Sequence, residues 1–240
     1  MRGRMPKQRD QHPIGWMPFE QLADRYDAWF ETDRGNHVFE IEVNCIRELL
    51  KGMPRPWLEV GVGTGRFAAA LDMDEGIDPS SAVLKYAAER GIQTRVGKAE
   101  QLPYPDHRFG ITLLVVTICF LQDPARALYE CRRVLKEDGH MILGLVPKDS
   151  QWGKLYAQKG AAGHPFYSVA RFYTTKQIIQ LAEDAGFYFD RATSCLFEPP
   201  DQDVETHKSL HDGIEENAGF VTMRFSVNRK HGGINANIRV

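Results

Sequence analysis

Three glycines on alternate positions, Gly61, Gly63 and Gly65, follow the short apolar run Trp57-Leu-Glu-Val60 and lead into Arg66-Phe-Ala-Ala-Ala70. That spacing suits a loop that turns tightly off a strand and presents main-chain N–H groups to a ligand, since no Cβ shields them. Glu59, still on the strand, places a carboxylate under the loop. A second acid, Asp78, ends the short run Glu75-Gly-Ile-Asp78 and is followed by Pro79-Ser-Ser81. A carboxylate at the end of the second strand of such a unit accepts hydrogen bonds from both hydroxyls of a ribose. Asp78 also reads as a helix N-cap with Pro79 at the first helical position, and the two roles are compatible.

A glycine-rich turn alone serves a nicotinamide, a flavin, a phosphate or a mere bend, so its neighbours decide. In the dinucleotide fingerprint a glycine or alanine stands three positions after the second glycine, where helix and strand pack closely. Counted from Gly63, that position is Arg66. A long cation there favours a cofactor without a pyrophosphate. The adenosine-bearing cofactor that lacks one is S-adenosylmethionine.

Four ordered segments then resemble the class I S-adenosylmethionine-dependent methyltransferases, in the small-molecule group (methyltransferase type 11) that includes ubiquinone and menaquinone C-methyltransferase relatives. They are Leu58-Glu-Val-Gly-Val-Gly-Thr-Gly65 with Gly76-Ile-Asp-Pro-Ser80, then Val96-Gly-Lys-Ala-Glu-Gln-Leu-Pro-Tyr-Pro-Asp106, then Phe109 to Leu121, and last Leu128 to Leu143. The resemblance covers about residues 55–150. It implies an α/β, three-layer Rossmann-like fold: a seven-stranded, mostly parallel sheet with one antiparallel strand and helices on both faces. It implies S-adenosylmethionine as cofactor and S-adenosylhomocysteine as product. Glu59, Gly61, Gly63 and Gly65 would shape the methionine end, Asp78 and Pro79 the ribose site, Ala99 and Glu100 the adenine site, and Thr117 the active-site end of the fourth strand. The chain departs from the pattern at Lys98, where relatives commonly carry an acid for the adenine amino group, and at Gly110, where they often have Asp. At the end of the fourth strand, Thr117, Cys119 and Phe120 replace a frequent polar or His pair and make the site more apolar.

Strands are expected at 57–60, 75–77, 93–96, 111–117 and 140–146, alternating with helices at 65–71, 80–90 and 123–136, which predicts a parallel sheet covered on both faces. Ahead of them, Phe19, Leu22, Tyr26, Trp29 and Phe30 form one helical stripe, and Val38, Ile41, Cys45, Ile46, Leu49 and Leu50 another, closed by Lys51-Gly52. These are core helices, and in the resembled family such helices also roof the cofactor pocket, which makes Tyr26 and Trp29 lid candidates. Thr174 to Gln177 has the form of a capping box opening a helix to about Ala185, and 187–197 with 219–227 reads as a terminal strand pair joined by a link of about 20 residues.

Between the fifth strand and that helix, 147–173 carries Trp152, Tyr156, His164, Phe166, Tyr167, Arg171, Phe172 and Tyr173. Read as a loop, such aromatics need burial, and a segment leaving the carboxyl end of a strand lies at the ligand crevice. It is a candidate acceptor pocket, or else an insertion packed on the sheet edge. His164, Tyr167 and Cys119 are the catalytic candidates, as base, orienting group or wall of the transfer point.

Length and composition, 240 residues with 42% hydrophobic content, fit one methyltransferase domain. Its expected parts are a flexible 1–15, a helical cap 16–52, a cofactor-binding core 53–146, the acceptor-site insertion 147–175, a C-terminal helix and strands 176–228, and a flexible tail 229–240. A net charge of −2 gives no basic face for nucleic acid, no apolar run suits a membrane span, and the basic cluster Arg2, Arg4, Lys7, Arg9 is not followed by a signal-peptide core. Cys45, Cys119, Cys131 and Cys195 show no C-x-x-C pair, which suits the cytoplasm. His207 and His211 have ligand-like i, i+4 spacing in a polar segment that reads as a loop, and no metal is expected. The function expected is methyl transfer to a small-molecule acceptor by a monomer or homodimer. The alternatives are methylation of a macromolecule and binding of the cofactor without turnover.

Overall fold

A computed structural model of the protein describes residues 14–202 and 210–228. Residues 1–13 of the expected flexible segment 1–15, the expected tail 229–240, the basic cluster and His207 lie outside the described residues. Three N-terminal helices, α1 (Met17–Gln21), α2 (Ala23–Trp29) and α3 (Asp33–Leu50), come first. The stripe expected to form one helix forms two, because Leu22 leaves helical geometry at φ −131°.

The sheet follows: β1 (Trp57–Val60), β2 (Glu75–Asp78), β3 (Gln93–Val96), β4 (Phe109–Val115), β5 (Leu135–Leu145), β6 (Tyr188–Cys195), β7 (His211–Asp212) and β8 (Phe220–Ser226). Their order is β3-β2-β1-β4-β5-β8-β6-β7. The first five pair in parallel, while β8 runs antiparallel to both β5 and β6. The sheet has eight strands rather than seven: the extra one, β7, is a two-residue edge strand on Thr193 and Ser194 within the long link before β8. The order reverses between β1 and β4, the switch point where open α/β sheets bind ligands.

Helices α4 (Arg66–Ala70), α5 (Ser81–Glu89), α6 (Pro124–Val134), α7 (Gln151–Ala161) and α8 (Thr175–Asp184) complete the layers. Two apolar clusters pack on opposite faces: Leu58, Val60, Leu114, Leu128 and Ile178 in one, Ile46, Leu49, Ile111, Leu113 and Ile142 in the other. Every residue of β4 is buried, as a parallel strand covered on both faces requires.

Three local differences from expectation have steric or capping reasons. Strand β5 starts at Leu135, because Leu135 pairs with Phe109 before a register shift carries the ladder on to His140. Gly110 replaces the family's frequent Asp because a Cβ there would lie 1.9 Å from the Pro54 carbonyl oxygen. The segment expected as an aromatic loop contains α7, whose N-cap Ser150 accepts a hydrogen bond from Gly153 N–H at 3.0 Å. Glycines at 153 and 160 hide that helix in the sequence, and Gly153 is needed there because a Cβ would meet the Pro147 carbonyl oxygen at 2.1 Å. The capping box at Thr174 and Gln177 forms as expected.

Candidate active site

Beyond β1 the chain turns through Gly61, Gly63 and Gly65, all left-handed at φ +75°, +53° and +79°. A Cβ at Gly61 would lie 2.3 Å from the Thr117 methyl, so the glycine lets the loop approach the end of β4. A Cβ on Gly63 would find the Tyr26 ring at 3.5 Å. Gly65 instead serves helix packing, since it begins α4 and touches Ala87 of α5, where a Cβ would come within 2.8 Å.

These turns enclose a cavity of about 390 Å³, within the ~300–1,000 Å³ usual for ligand pockets. Gly61, Gly63, Asp78, Pro79, Ala99, Glu100 and Thr117 all line it; Glu59 and Gly65 stand behind the wall. Glu59 is buried beneath the loop with one carboxyl oxygen unpaired. Burial, then the Asp78 charge, raises its pKa well above the carboxylate range, against a hydrogen bond from Ala68 N–H.

Asp78 accepts from Gly63 N–H at 3.0 Å and from Ser80 N–H at 2.9 Å. The N-cap of α5 is Ser80, whose hydroxyl accepts from Val83 N–H, so Asp78 is not the cap. Burial pushes the Asp78 pKa up to about 6 although both amides oppose the shift. The Glu100 carboxylate accepts from the N–H groups of Gln122 and Asp123, tying it to the start of α6.

The roof is latched by charge. Glu20 of α1 accepts from the Ser80 and Ser81 hydroxyls and Ala82 N–H, a carboxylate at the start of α5. Asp24 accepts from the Tyr86 hydroxyl at 2.6 Å. Asp27 of α2 pairs with Arg66 at 2.7 Å and Arg90 at 2.9 Å, and Arg66 also reaches Glu31. Arg66 therefore stands in the third-glycine position to hold the roof.

The far end of the cavity is aromatic. Tyr156 and Tyr167 stack with centroids 4.4 Å apart, and His164 stacks on Tyr167 at 4.4 Å. Tyr26 and Trp29, the lid candidates, both line the cavity, with Phe19 and Phe166 against Tyr26. His164, Tyr167 and Cys119 come together on this wall. Burial lowers the His164 pKa, helped by Arg25 and Lys159, so the imidazole is neutral near neutral pH. Burial lifts Cys119 and Tyr167 to about 12, which makes them neutral donors and not bases. Cys119 donates to the Val116 carbonyl at 3.1 Å.

One residue on this wall escaped the sequence reading. Glu42 lies on the buried face of α3 among Val38, Ile41, Cys45 and Ile46, and burial pushes its pKa up to about 8. The signal was an acid inside an otherwise apolar helical stripe.

A parallel sheet with a glycine turn and a strand-end acid at its switch point defines a nucleotide-cofactor enzyme of the doubly wound class. Residues 58–143 match the methyltransferase domain family. The chain is 34% identical to a solved SAM-dependent methyltransferase from Thermotoga maritima, described as a possible histamine N-methyltransferase, over 89% of this chain and 99% of that one, with a TM-score of 0.82. It is 38% identical to the uncharacterized protein Rv2003c of Mycobacterium tuberculosis, over 86% of this chain and 74% of that protein. It is 28% identical to the demethylmenaquinone methyltransferase of Thermotoga maritima, over 70% of this chain and 86% of that enzyme. The chain belongs to the class I S-adenosylmethionine-dependent methyltransferases.

Proposed function

We propose that this cavity binds S-adenosylmethionine beside a small-molecule acceptor and that the protein transfers the methyl group between them. The observation that carries the reading is Asp78, a carboxyl 8% exposed, which lines the cavity beside Gly63. The residues fit the cofactor. Asp78 and Pro79 would hold the ribose, and Gly61 and Gly63 would flank the methionine end. Glu59 would act from below through its unpaired oxygen. Adenine would lie against Ala99 and the backbone at Lys98, since Glu100 is already engaged by α6.

The bound sulfonium supplies an electrophilic methyl group, so the protein needs to align the acceptor, exclude water and accept a proton. The aromatic end excludes water, and neutral His164 is placed to take or orient a proton; Thr117 marks the junction between the two halves. Roofing by α1 and α2 favours a small acceptor over a macromolecule, with 147–175 as the acceptor-site segment of a single domain. Among the described residues no helix is long and apolar enough to cross a membrane. All four cysteines are free and buried, which supports a cytoplasmic setting.

Calorimetric titration with S-adenosylmethionine, S-adenosylhomocysteine and NAD tests the reading. Micromolar binding of the first two without the third is expected; binding of NAD alone would end it. Binding with no methyl transfer to any acceptor would favour a cofactor-binding protein without turnover.

A further inference from the structure

Of the six buried acids among the described residues, three are paired with arginine. Glu75 meets Arg108, Glu130 meets Arg133 and Arg126, and Asp27 meets Arg66 and Arg90. Such pairing is the rule, because an isolated carboxylate out of water is strongly disfavoured. Glu42 breaks it. It is 7% exposed and lines the cavity, and among the described residues it has neither a hydrogen bond nor an ion pair. No arginine or lysine lies close enough to count among the influences on its ionisation, which are burial and Cys45.

On its cavity side Glu42 shares the wall with tyrosines. Tyr26, Tyr156 and Tyr167 line the same cavity as Glu42, with Tyr156 and Tyr167 stacked at 4.4 Å, and the Glu42 charge bears on all three. The Tyr26 ring lies over Gly63 on one side and meets Phe166 of the aromatic wall at 5.8 Å on the other, so it spans both halves of the cavity. A lone carboxyl in a tyrosine-lined cavity is complementary to a compact organic cation, which the negative faces of the rings attract.

We propose that Glu42 and the tyrosines that share its cavity form a binding site for an organic amine, which enters as its ammonium while Glu42 releases its proton to water, and which lies between the resulting carboxylate and the rings of Tyr26, Tyr156 and Tyr167. This deepens the acceptor half of the function proposed above and rests on that reading. Once held, the ammonium passes one proton to the carboxylate: an N–H bond breaks, an O–H bond forms, and the nitrogen regains the lone pair that accepting a methyl group requires. Arg25 and Lys159 also face the cavity, but they act on His164, at the wall beyond Tyr167.

The test uses three probes of nearly one shape, phenethylamine, phenethyl alcohol and phenylacetate, titrated calorimetrically with and without saturating S-adenosylhomocysteine. Phenethylamine should bind at least about tenfold more tightly than the alcohol, as expected for one charge-assisted hydrogen bond, and Glu42→Gln should erase that preference. Equal binding of amine and alcohol, tighter binding of phenylacetate, no binding of any probe, or a preference that survives in Glu42→Gln would each overturn the proposal. The wild-type comparison stands even if the variant does not fold, which its thermal melt will report. S-adenosylhomocysteine binding without amine preference removes this proposal and leaves the methyltransferase site intact, whereas amine preference without S-adenosylhomocysteine binding does the reverse.

Discussion

The carboxylates of the roof latch and those of the cavity are the same chemical group held in opposite states. In the latch, hydrogen bonds led by the Ser80 hydroxyl keep the Glu20 pKa low. Asp27 sits at about 2: burial raises it, but its bonds to Arg66, Thr64 and Arg90 more than offset that. In the cavity, burial lifts Asp78 to about 6, Glu42 to about 8 and Glu59 well above the usual range. The latch carboxylates are thus satisfied within the fold, while under the proposed function the cavity carboxylates would find their partners on a bound ligand.

The largest expected effect is on stability against pH. For Asp27 the folded pKa lies below the unfolded one, so its contribution is present above about pH 4 and is lost as pH falls toward 2. For Asp78 and Glu42 the folded value lies above, so the native state keeps protons that the unfolded chain has released. Their effect on stability then worsens as pH rises from about 4 to about 6 and to about 8 respectively. His164, held low by burial, opposes this near its own titration. Glu42 is therefore isolated by comparison with Glu42→Gln. In denaturant melts the variant should gain on wild type as pH rises from about 5 to about 8, by as much as several kcal/mol. A difference that does not change with pH would refute the assignment of Glu42 as an unpaired buried acid.

Next in size is Asp27→Ala. Removing the shared partner of Arg66 and Arg90 leaves two half-buried guanidinium groups, and a loss of about 3 kcal/mol in a denaturant melt is expected, the low end for broken buried pairs. If the latch serves only the roof, S-adenosylhomocysteine and amine affinities should fall together, because Tyr26 on α2 touches both halves. A fall in one alone would show that the halves are held separately.

The same contrast explains what could be read before the fold was known. The glycine turn and strand-end acid of the proposed cofactor half were legible because they are local: Gly61, Gly63 and Asp78 depend on backbone geometry and a strand end, and each carries its reason in its own sequence neighbourhood. Arg66 was read correctly as a departure but for a reason that differs from the one the structure gives, since its partners Asp27 and Glu31 lie 35 or more residues away. The acceptor half is assembled from α2, α3, α7 and the turn at Tyr167, which only the fold brings together. Glu42 was passed over because a periodic stripe announces burial and says nothing of the cavity one side chain enters.

Asp78→Ala should weaken S-adenosylhomocysteine binding by about 1.5–3 kcal/mol, roughly 10- to 150-fold, through lost charge-assisted bonds to ribose. Phenethylamine binding measured without S-adenosylhomocysteine should be unaffected, since Asp78 is not among the influences on Glu42. Unchanged S-adenosylhomocysteine affinity would remove Asp78 from the cofactor site.

The smallest effect belongs to His164→Ala, and it separates the halves from the other side. His164 stacks on Tyr167, whose other neighbour in the stack is Tyr156, so the ring both closes the aromatic wall and carries a basic nitrogen. If it takes or orients a proton, turnover of methyl-labelled S-adenosylmethionine with an amine acceptor should slow about tenfold, about 1.4 kcal/mol, with S-adenosylhomocysteine affinity unchanged. Because burial holds the imidazole below 6.5, the wild-type rate should fall only at pH values under that, and this acid limb should vanish in the variant. A weaker KM for the amine with the acid limb intact would mean that the ring merely supports Tyr167. Equal rates and equal KM would leave Glu42 as the group on the acceptor side that handles the proton.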